Sequence, residues 1–243
     1  MLDLLTSAGK SSSTAPSMEL TVYLRDVMVL LNVGGRDEIG RLREASDHVL
    51  DILRHYLPKK YDFNGLRRLV IYLGPNTDSG RMLSAGAATG VGEFLADSFD
   101  LHAWFDAPQD KKDVLILQCV EDALTEQAGK FGTDPEPLRA AAQSVRDASY
   151  RLDTELPCSR THPSRKFLSR LIRRFAPGGT FVIARVTTPK DEVLHEEELL
   201  AGAWVVTVSD KYRGSRWNGD TLEILDGQGR KTTEFACAPY LHP

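Results

Sequence analysis

Asp26-Val27-Met28-Val29-Leu30-Leu31-Asn32-Val33-Gly34-Gly35-Arg36-Asp37-Glu38-Ile39 is the stretch on which the fold turns. Just upstream, Leu20, Val22 and Leu24 alternate with Thr21, Tyr23 and Arg25, and the alternation passes into a continuous apolar run over Val27-Leu31, the pattern of a strand with a buried end. Gly34-Gly35 breaks that run. Beyond the break, Ile39, Leu42, Ala45, Val49, Ile52, Leu53 and Tyr56 recur at helical spacing, while Arg36, Glu38, Arg43, Glu44, Asp47, Asp51 and Arg54 fill the other side. The pattern predicts an amphipathic helix over 36–57, stopped near Pro58.

Outward from this strand and helix, Leu69-Val70-Ile71-Tyr72-Leu73 reads as a buried strand, and a second is expected around Val91-Ala96 after a glycine-rich stretch. A long helix is marked between Asp110 and Phe131 by Leu117, Val120, Leu124, Ala128 and Phe131. Asp134-Pro135-Glu136 then starts a third helix, with an acid at the cap and proline in the first turn, running to about Tyr150. Past Pro157 the character changes. Residues 167–175, 180–187, 203–209, 221–225 and 231–235 are short β-prone runs separated by hairpin-like turns. The chain is therefore expected to be α+β, with an N-terminal α/β part containing three helices followed by a mainly antiparallel β-rich part. The expected divisions are a flexible arm over 1–17, whose small polar residues cannot bury enough apolar surface to order it, an α/β part over 18–156, and a β-rich part over 157–243 packed on it as one compact unit.

Charge excludes one class of function. Thirty Lys+Arg against 34 Asp+Glu give a net charge of -4, so no global positive field exists to track phosphates. Locally the charge is segmented. Residues 90–155 hold fourteen acids against six bases, residues 156–190 hold eight bases and no acid, and Asp191, Glu192, Glu196, Glu197 and Glu198 follow. Solvated helix faces and neighbouring strands that pair in the fold account for this best. A docking face is the other reading, acidic for a basic partner, or Arg165, Lys166, Arg170, Arg173 and Arg174 for nucleic acid, which is a weak stripe with little aromatic interleaving. No run of about 18 apolar residues is present, and three cysteines are too few for a disulfide framework. Together these point to a cytoplasmic protein without a membrane segment.

Candidate chemistry is sparse. Asp97, Asp100, His102 and Asp106 follow a predicted strand and could bind a divalent metal or act as acid and base. Their interleaving with Phe99, Leu101, Trp104 and Phe105 instead fits an extended segment with an inward aromatic side and a wet polar side. Cys158-x3-His162 and Cys237-x4-His242 have permissible zinc spacings, but nothing in the sequence brings the pairs together. Arg165 stands one position too far from Cys158 for a cysteine-phosphatase loop. Gly86-Ala87-Ala88-Thr89-Gly90-Val91-Gly92 lacks the residues of a phosphate cradle and reads as a hairpin or connector. His48 and His55 follow Glu44 and Asp51 by four residues, which predicts surface ion pairs. No catalytic residue, metal ligand or cofactor is assigned.

The run Phe94-Leu95-Ala96-Asp97-Ser98-Phe99-Asp100-Leu101-His102-Ala103-Trp104-Phe105 is followed by Asp110-Lys111-Lys112 opening a helix with Leu115, Leu117 and Leu124. Phe131-Gly132-Thr133-Asp134 then precedes another helix. This order of parts, with the later β-rich region containing Trp204 and the hairpin over 222–229, resembles bacterial polymorphic-toxin immunity proteins over roughly residues 19–235. The resemblance is architectural. It implies a cytoplasmic, non-catalytic protein that binds and blocks a cognate effector toxin, commonly one delivered by a secretion system. Such families carry over no catalytic residues. The expected partner-binding segment is Asp97, Asp100, His102, Trp104, Phe105 and Asp106, with the two aromatics as anchors beside carboxylates that would enter a basic cleft. The competing expectations are plain core packing for Trp104 and Phe105, and a metal-dependent hydrolase or nucleotide-acting enzyme built on Asp97, Asp100 and His102.

Overall fold

The computed structural model describes residues 22–32, 35–74, 82–86, 89–203 and 205–237. β1 (Asp26–Leu31) leads into α1 (Arg36–Tyr56), and β2 (Arg68–Leu73) returns parallel to β1 with Asp26 opposite Arg68. A strand, a helix and a parallel strand form one βαβ unit. β4 (Val91–Ala96) adds parallel to β2, and β3 (Met82–Gly86) pairs antiparallel with β4, giving a sheet of order β1-β2-β4-β3. β1 is thus an edge strand. Acids favour the start of α1: Asp37 and Glu38 lie in its first turn, and the Glu38 carboxylate accepts the Gly35 N–H at 2.9 Å.

A short α2 (Leu101–Asp106) follows β4, then α3 (Gln109–Phe131) and α4 (Glu136–Asp147). Gly132, at φ 68°, ends α3 in the left-handed conformation that suits glycine. Leu42, Val49 and Ile52 of α1, Ile116, Leu117 and Val120 of α3, and Leu138 and Val145 of α4 close a first core over Leu69, Ile71 and Phe94. Each such side chain contributes ~2 kcal/mol by leaving water. One polar knot sits inside it. His48 is fully buried with Nε2 3.2 Å from Asp113 Oδ1, and Gln109 Nε2 donates to both Asp113 Oδ1 and the Ala45 carbonyl, tying the start of α3 to α1.

The second half is β-rich. β5 (Leu152–Glu155) and β6 (Arg160–Thr161) both pair with β7 (Leu168–Ala176), which pairs with β8 (Gly179–Thr187), which pairs with β9 (Val193–Ala203), all antiparallel. After α5 (Val205–Lys211), a three-stranded antiparallel sheet is made by β10 (Gly214–Asn218), β11 (Thr221–Leu225) and β12 (Lys231–Ala236). Leu171, Val182 and Val186 pack with Val208, Leu222, Ile224 and Phe235 in a second core. The same face of β7 then continues to Phe175, which belongs to the first core.

The chain is α+β, but the simple division into three helices and then strands needs correcting. Among the described residues, the first half interleaves four strands with four helices, and a fifth helix lies in the second half. Residues 101–106 are helical rather than extended, because Leu101, Trp104 and Phe105 follow the helical period and Asp100 caps the helix by accepting the Ala103 N–H at 2.9 Å. Residues 205–211 are helical despite their valines. Val208 and Tyr212, four apart, both enter the second core, and that burial overrides β propensity. β9 and β10 are strands that their sequences did not announce. The arm over 1–17, Trp204 and residues 238–243, including His242, lie outside the described residues.

The segmented charge has a direct origin. On the face of the five-stranded sheet turned away from the second core, Arg174 meets Asp153 at 2.7 Å and Glu196 at 3.5 Å, Arg185 meets Glu196 at 2.7 Å, and Arg170 meets Glu155 at 3.3 Å as well as Asp191. Bases on β7 and β8 face acids on β5, on β9 and just before β9. Ile172 and Ile183, directly opposite each other, are buried beneath this lattice.

Candidate functional site

The sequence-derived segment at 97–106 is only partly a surface. Trp104 is fully buried, its indole N–H donating to the Lys112 carbonyl at 3.0 Å, so it is a core residue and not an anchor offered to a partner. Phe105 packs against the same core under the guanidinium of Arg41, 4.6 Å from its ring centre. Asp100 is used as the cap of α2, while His102 and Asp106 are exposed and Asp97 is half-buried just past β4. Among the described residues no group of three or more His, Cys, Asp or Glu could hold a metal ion. Cys158 and Cys237 share the second core, and His162 stacks on Phe167 at 4.4 Å. Burial pushes both thiols up to about 12. They are inert packing groups.

Two histidine expectations also change. His48 faces Asp113 in the core instead of Glu44 at the surface, and Asp51 is engaged by Arg54 instead of His55. The arginine stripe is committed elsewhere. Arg170 and Arg174 belong to the ion-pair lattice, and Arg173 lies over Phe175 with its Nε on Thr154 Oγ1.

A different place gathers open backbone, charge and space. A cleft of about 830 Å³ lies between the exposed stripe of α1, the outer edge of β1 and the turn joining β7 to β8. Along β1, Asp26 and Asn32 donate their N–H groups to Arg67 and Leu73 on the β2 side. In a parallel pair alternate residues point both backbone groups the same way, so Val27, Val29 and Leu31 turn theirs outward. Val27 has its carbonyl taken by Arg54 Nη2. The outward groups of Val29 and Leu31 have no hydrogen-bond partner among the described residues.

The walls of this cleft are low. Gly40, inside α1, lines it with a backbone any residue could adopt, and a β-carbon added there would meet nothing within 4 Å. Opposite stand Gly178 and Gly179, at φ 91° and 120°, and Gly202 at φ 61°. The turn and β9 need those three for their conformation; Gly40 is not needed by the fold and weakens the helix.

Charge concentrates at one end. Arg54 Nε bonds Asp26 Oδ1 at 2.7 Å and its Nη1 bonds Asp51, while Arg68 takes the other Asp26 oxygen at 2.6 Å. Asp47, one turn before Asp51, makes no hydrogen bond or ion pair among the described residues. Burial is the leading influence on both acids. It raises Asp47 against the attraction of Arg54 and Arg43, and lifts Asp51 to about 6 against that of Arg54, with Asp47 pushing it further up. Arg173, lowered by its own burial, is a more distant counter-charge to Asp51. The lining as a whole holds four acids, Asp26, Glu44, Asp47 and Asp51, and four arginines, Arg36, Arg43, Arg54 and Arg68, so its charges are balanced.

In the sequence, Asp47 and Asp51 were simply part of the polar side of α1. The available signal was a glycine at position 40 within a strong helix, on the same stripe as two acids four residues apart. What could not be read was the β7–β8 turn closing the opposite side. No helix among the described residues is long and apolar enough to cross a membrane. Comparison with family models, with curated proteins and with solved structures finds no match for this chain.

Proposed function

We propose that this chain is a non-catalytic binding protein of the toxin-neutralising kind that its architecture resembles, and that it holds a segment of its protein partner in the cleft beside β1. The observation that carries the reading is the unpaired outer edge of β1 at Val29, which lines a space also bordered by Gly40, Gly178, Gly179 and Gly202. An unpaired strand edge is a template for another chain, and native sheets usually cover or blunt such edges. Here the edge opens onto a cleft, and bare backbone on the facing walls leaves room for a second main chain to approach. Strand addition of this type supplies affinity through main-chain hydrogen bonds and specificity through alternate side chains.

The test is purification of the tagged full-length chain from its native host, followed by identification of what accompanies it and by co-expression of the two. A stoichiometric partner that arrests growth alone, is silenced by this chain, and is no longer bound by Gly40→Trp or silenced by it supports the reading. Gly40→Trp fills the cleft from an exposed helical position without touching either core. Undiminished protection by Gly40→Trp would remove the cleft from the mechanism; the absence of any toxic partner would remove the neutralising role.

A further inference from the structure

Resting on the reading of this cleft as the binding element, we infer that Arg54 is a latch on the edge of β1, covering the Val27 carbonyl while Asp51 is ionised and releasing it when Asp51 takes up a proton. Three features lead there. The first is position. Val27 is the outward-facing residue two before Val29, and Arg54 Nη2 donates to its carbonyl. A strand that adds along β1 uses the outward groups of alternate residues in turn. With Arg54 in place it finds those of Val29 but meets a guanidinium at Val27, so pairing stops there. A charged side chain laid on an edge is one of the ways in which sheets keep that edge from pairing.

The second is how the latch is held. Arg54 Nε bonds Asp26 Oδ1 at 2.7 Å, and Nη1 bonds Asp51. The two carboxylates are not equivalent. Asp26 has a second cation, Arg68, on its other oxygen at 2.6 Å, whereas Arg54 is the only cation bonded directly to Asp51 among the described residues. A hydrogen bond to an ionised group is roughly twice as strong as a neutral one. A proton on Asp51 therefore weakens the hold on the Nη end and leaves the guanidinium anchored at Nε through Asp26. The Arg54 side chain is 27% exposed, so the released end turns into water and not into the core.

The third is charge. The groups that face Asp51 are Arg54 and Asp47 on its own helix, Arg173 on β7, and, through Arg54, Asp26 on β1 with its partner Arg68 on β2. Burial lifts Asp51 to about 6 and raises Asp47 against the attraction of Arg54, Arg43 and His48, while arginine stays charged throughout. Proton uptake thus removes negative charge from a balanced lining without removing positive charge. The uncompensated guanidinium then gains by moving from a half-buried contact to solvent.

The experiment uses the full-length protein at pH 7.5 and pH 5 and one probe without titratable groups, an acetylated and amidated nonapeptide of alternating valine and threonine. Binding is read by isothermal titration calorimetry. The latch is read by nitrogen-edited nuclear magnetic resonance, as separate signals from the two Nη groups of Arg54 when the guanidinium is held and one averaged signal when it turns. Separate signals are expected at pH 7.5 and an averaged one at pH 5. The peptide is expected to bind about fivefold more tightly at pH 5, the worth of one main-chain hydrogen bond. Asp51→Asn, which keeps a neutral oxygen for Arg54, should give the averaged signal and the tighter binding at both pH values, and Gly40→Trp should block the peptide at both. Far-ultraviolet circular dichroism and a urea melt of each variant establish that it is folded.

Arg54 signals that stay separate at pH 5 overturn the inference, since the latch does not open. Peptide binding that is equal or weaker at pH 5, or whose pH dependence survives unchanged in Asp51→Asn, overturns it as well. Binding that ignores Gly40→Trp places the peptide elsewhere and has the same result. If the latch opens but the peptide binds at neither pH, the edge does not accept a strand, and the reading of the cleft falls with the inference. If the peptide binds, Gly40→Trp blocks it and Arg54 stays fixed, the cleft stands and only its regulation is lost.

Discussion

Asp51→Asn isolates the electrostatic state of the cleft. The Asp51 side chain is 12% exposed and bonded to Arg54, with Asp47 on its own helix and Arg173 on β7 facing it. Burial outweighs both arginines and lifts its acid from the ordinary 3.8 to about 6. The folded chain therefore holds this proton more tightly than the unfolded chain does. Its contribution to stability is complete below about pH 4 and is lost as pH rises through about 6. A displacement of about two units corresponds to ~3 kcal/mol. Asparagine keeps the shape and an oxygen for Arg54 but does not titrate, so the difference in unfolding free energy between variant and wild type should move by ~3 kcal/mol in favour of the variant between pH 4 and pH 7. Asp47, raised for the same reason, couples to Asp51 and spreads the change over a wider range of pH. Urea melts at half-unit intervals, analysed as the variant-minus-wild-type difference, cancel all titrations elsewhere in the molecule. A difference that stays flat from pH 4 to 7 would refute the desolvated placement of Asp51.

Other outcomes follow from single contacts. Gly40→Ala, at an exposed helical position with nothing within 4 Å, should raise stability by ~1 kcal/mol in a urea melt; a loss would mean that the backbone there is not regular helix. Trp104→Ala should cost ~3–5 kcal/mol, and Trp104→Phe should cost less while losing the indole hydrogen bond to the Lys112 carbonyl, both measured at equilibrium; a cost below ~1 kcal/mol for the alanine would place Trp104 outside the core. Cys158 and Cys237, fully buried with thiols pushed up to about 12, should resist an aromatic disulfide reagent at pH 8 until the chain is unfolded; a rapid reaction of either would contradict the second core. The Arg185–Glu196 pair, on the solvent side of its sheet, should show a coupling under ~1 kcal/mol in a double-mutant cycle, falling with added salt.

The parts of the fold that carry their own local signal were legible. Ile39 to Tyr56 repeats at the helical period, Asp134-Pro135 opens α4, and the β-prone run over 180–187 falls within β8. The segment 101–106 failed because six residues satisfy an alternating pattern and a helical one about equally well; only Asp100 as a cap distinguishes them. Residues 205–211 failed because valine's preference was decided by what Val208 meets, which lies in strands that come later in the chain. His48 looked like a surface partner of Glu44 because both share a helix, and its true neighbour, Asp113, is 65 positions away. The cleft was illegible for the same reason. It exists only where α1 and β1 meet Gly178, Gly179 and Gly202, and no local pattern reports that meeting.

β7 has a consequence for how this chain could have been assembled or could be shortened. Leu171 lies in one core and Phe175 in the other, on one face of one strand. The connection after α4 would be the natural place to divide the sequence. A fragment ending there would lose Phe175 from its core, and the remainder would carry Phe175 with nothing to cover it. A cut after α4 therefore disturbs both cores through the one strand that serves them.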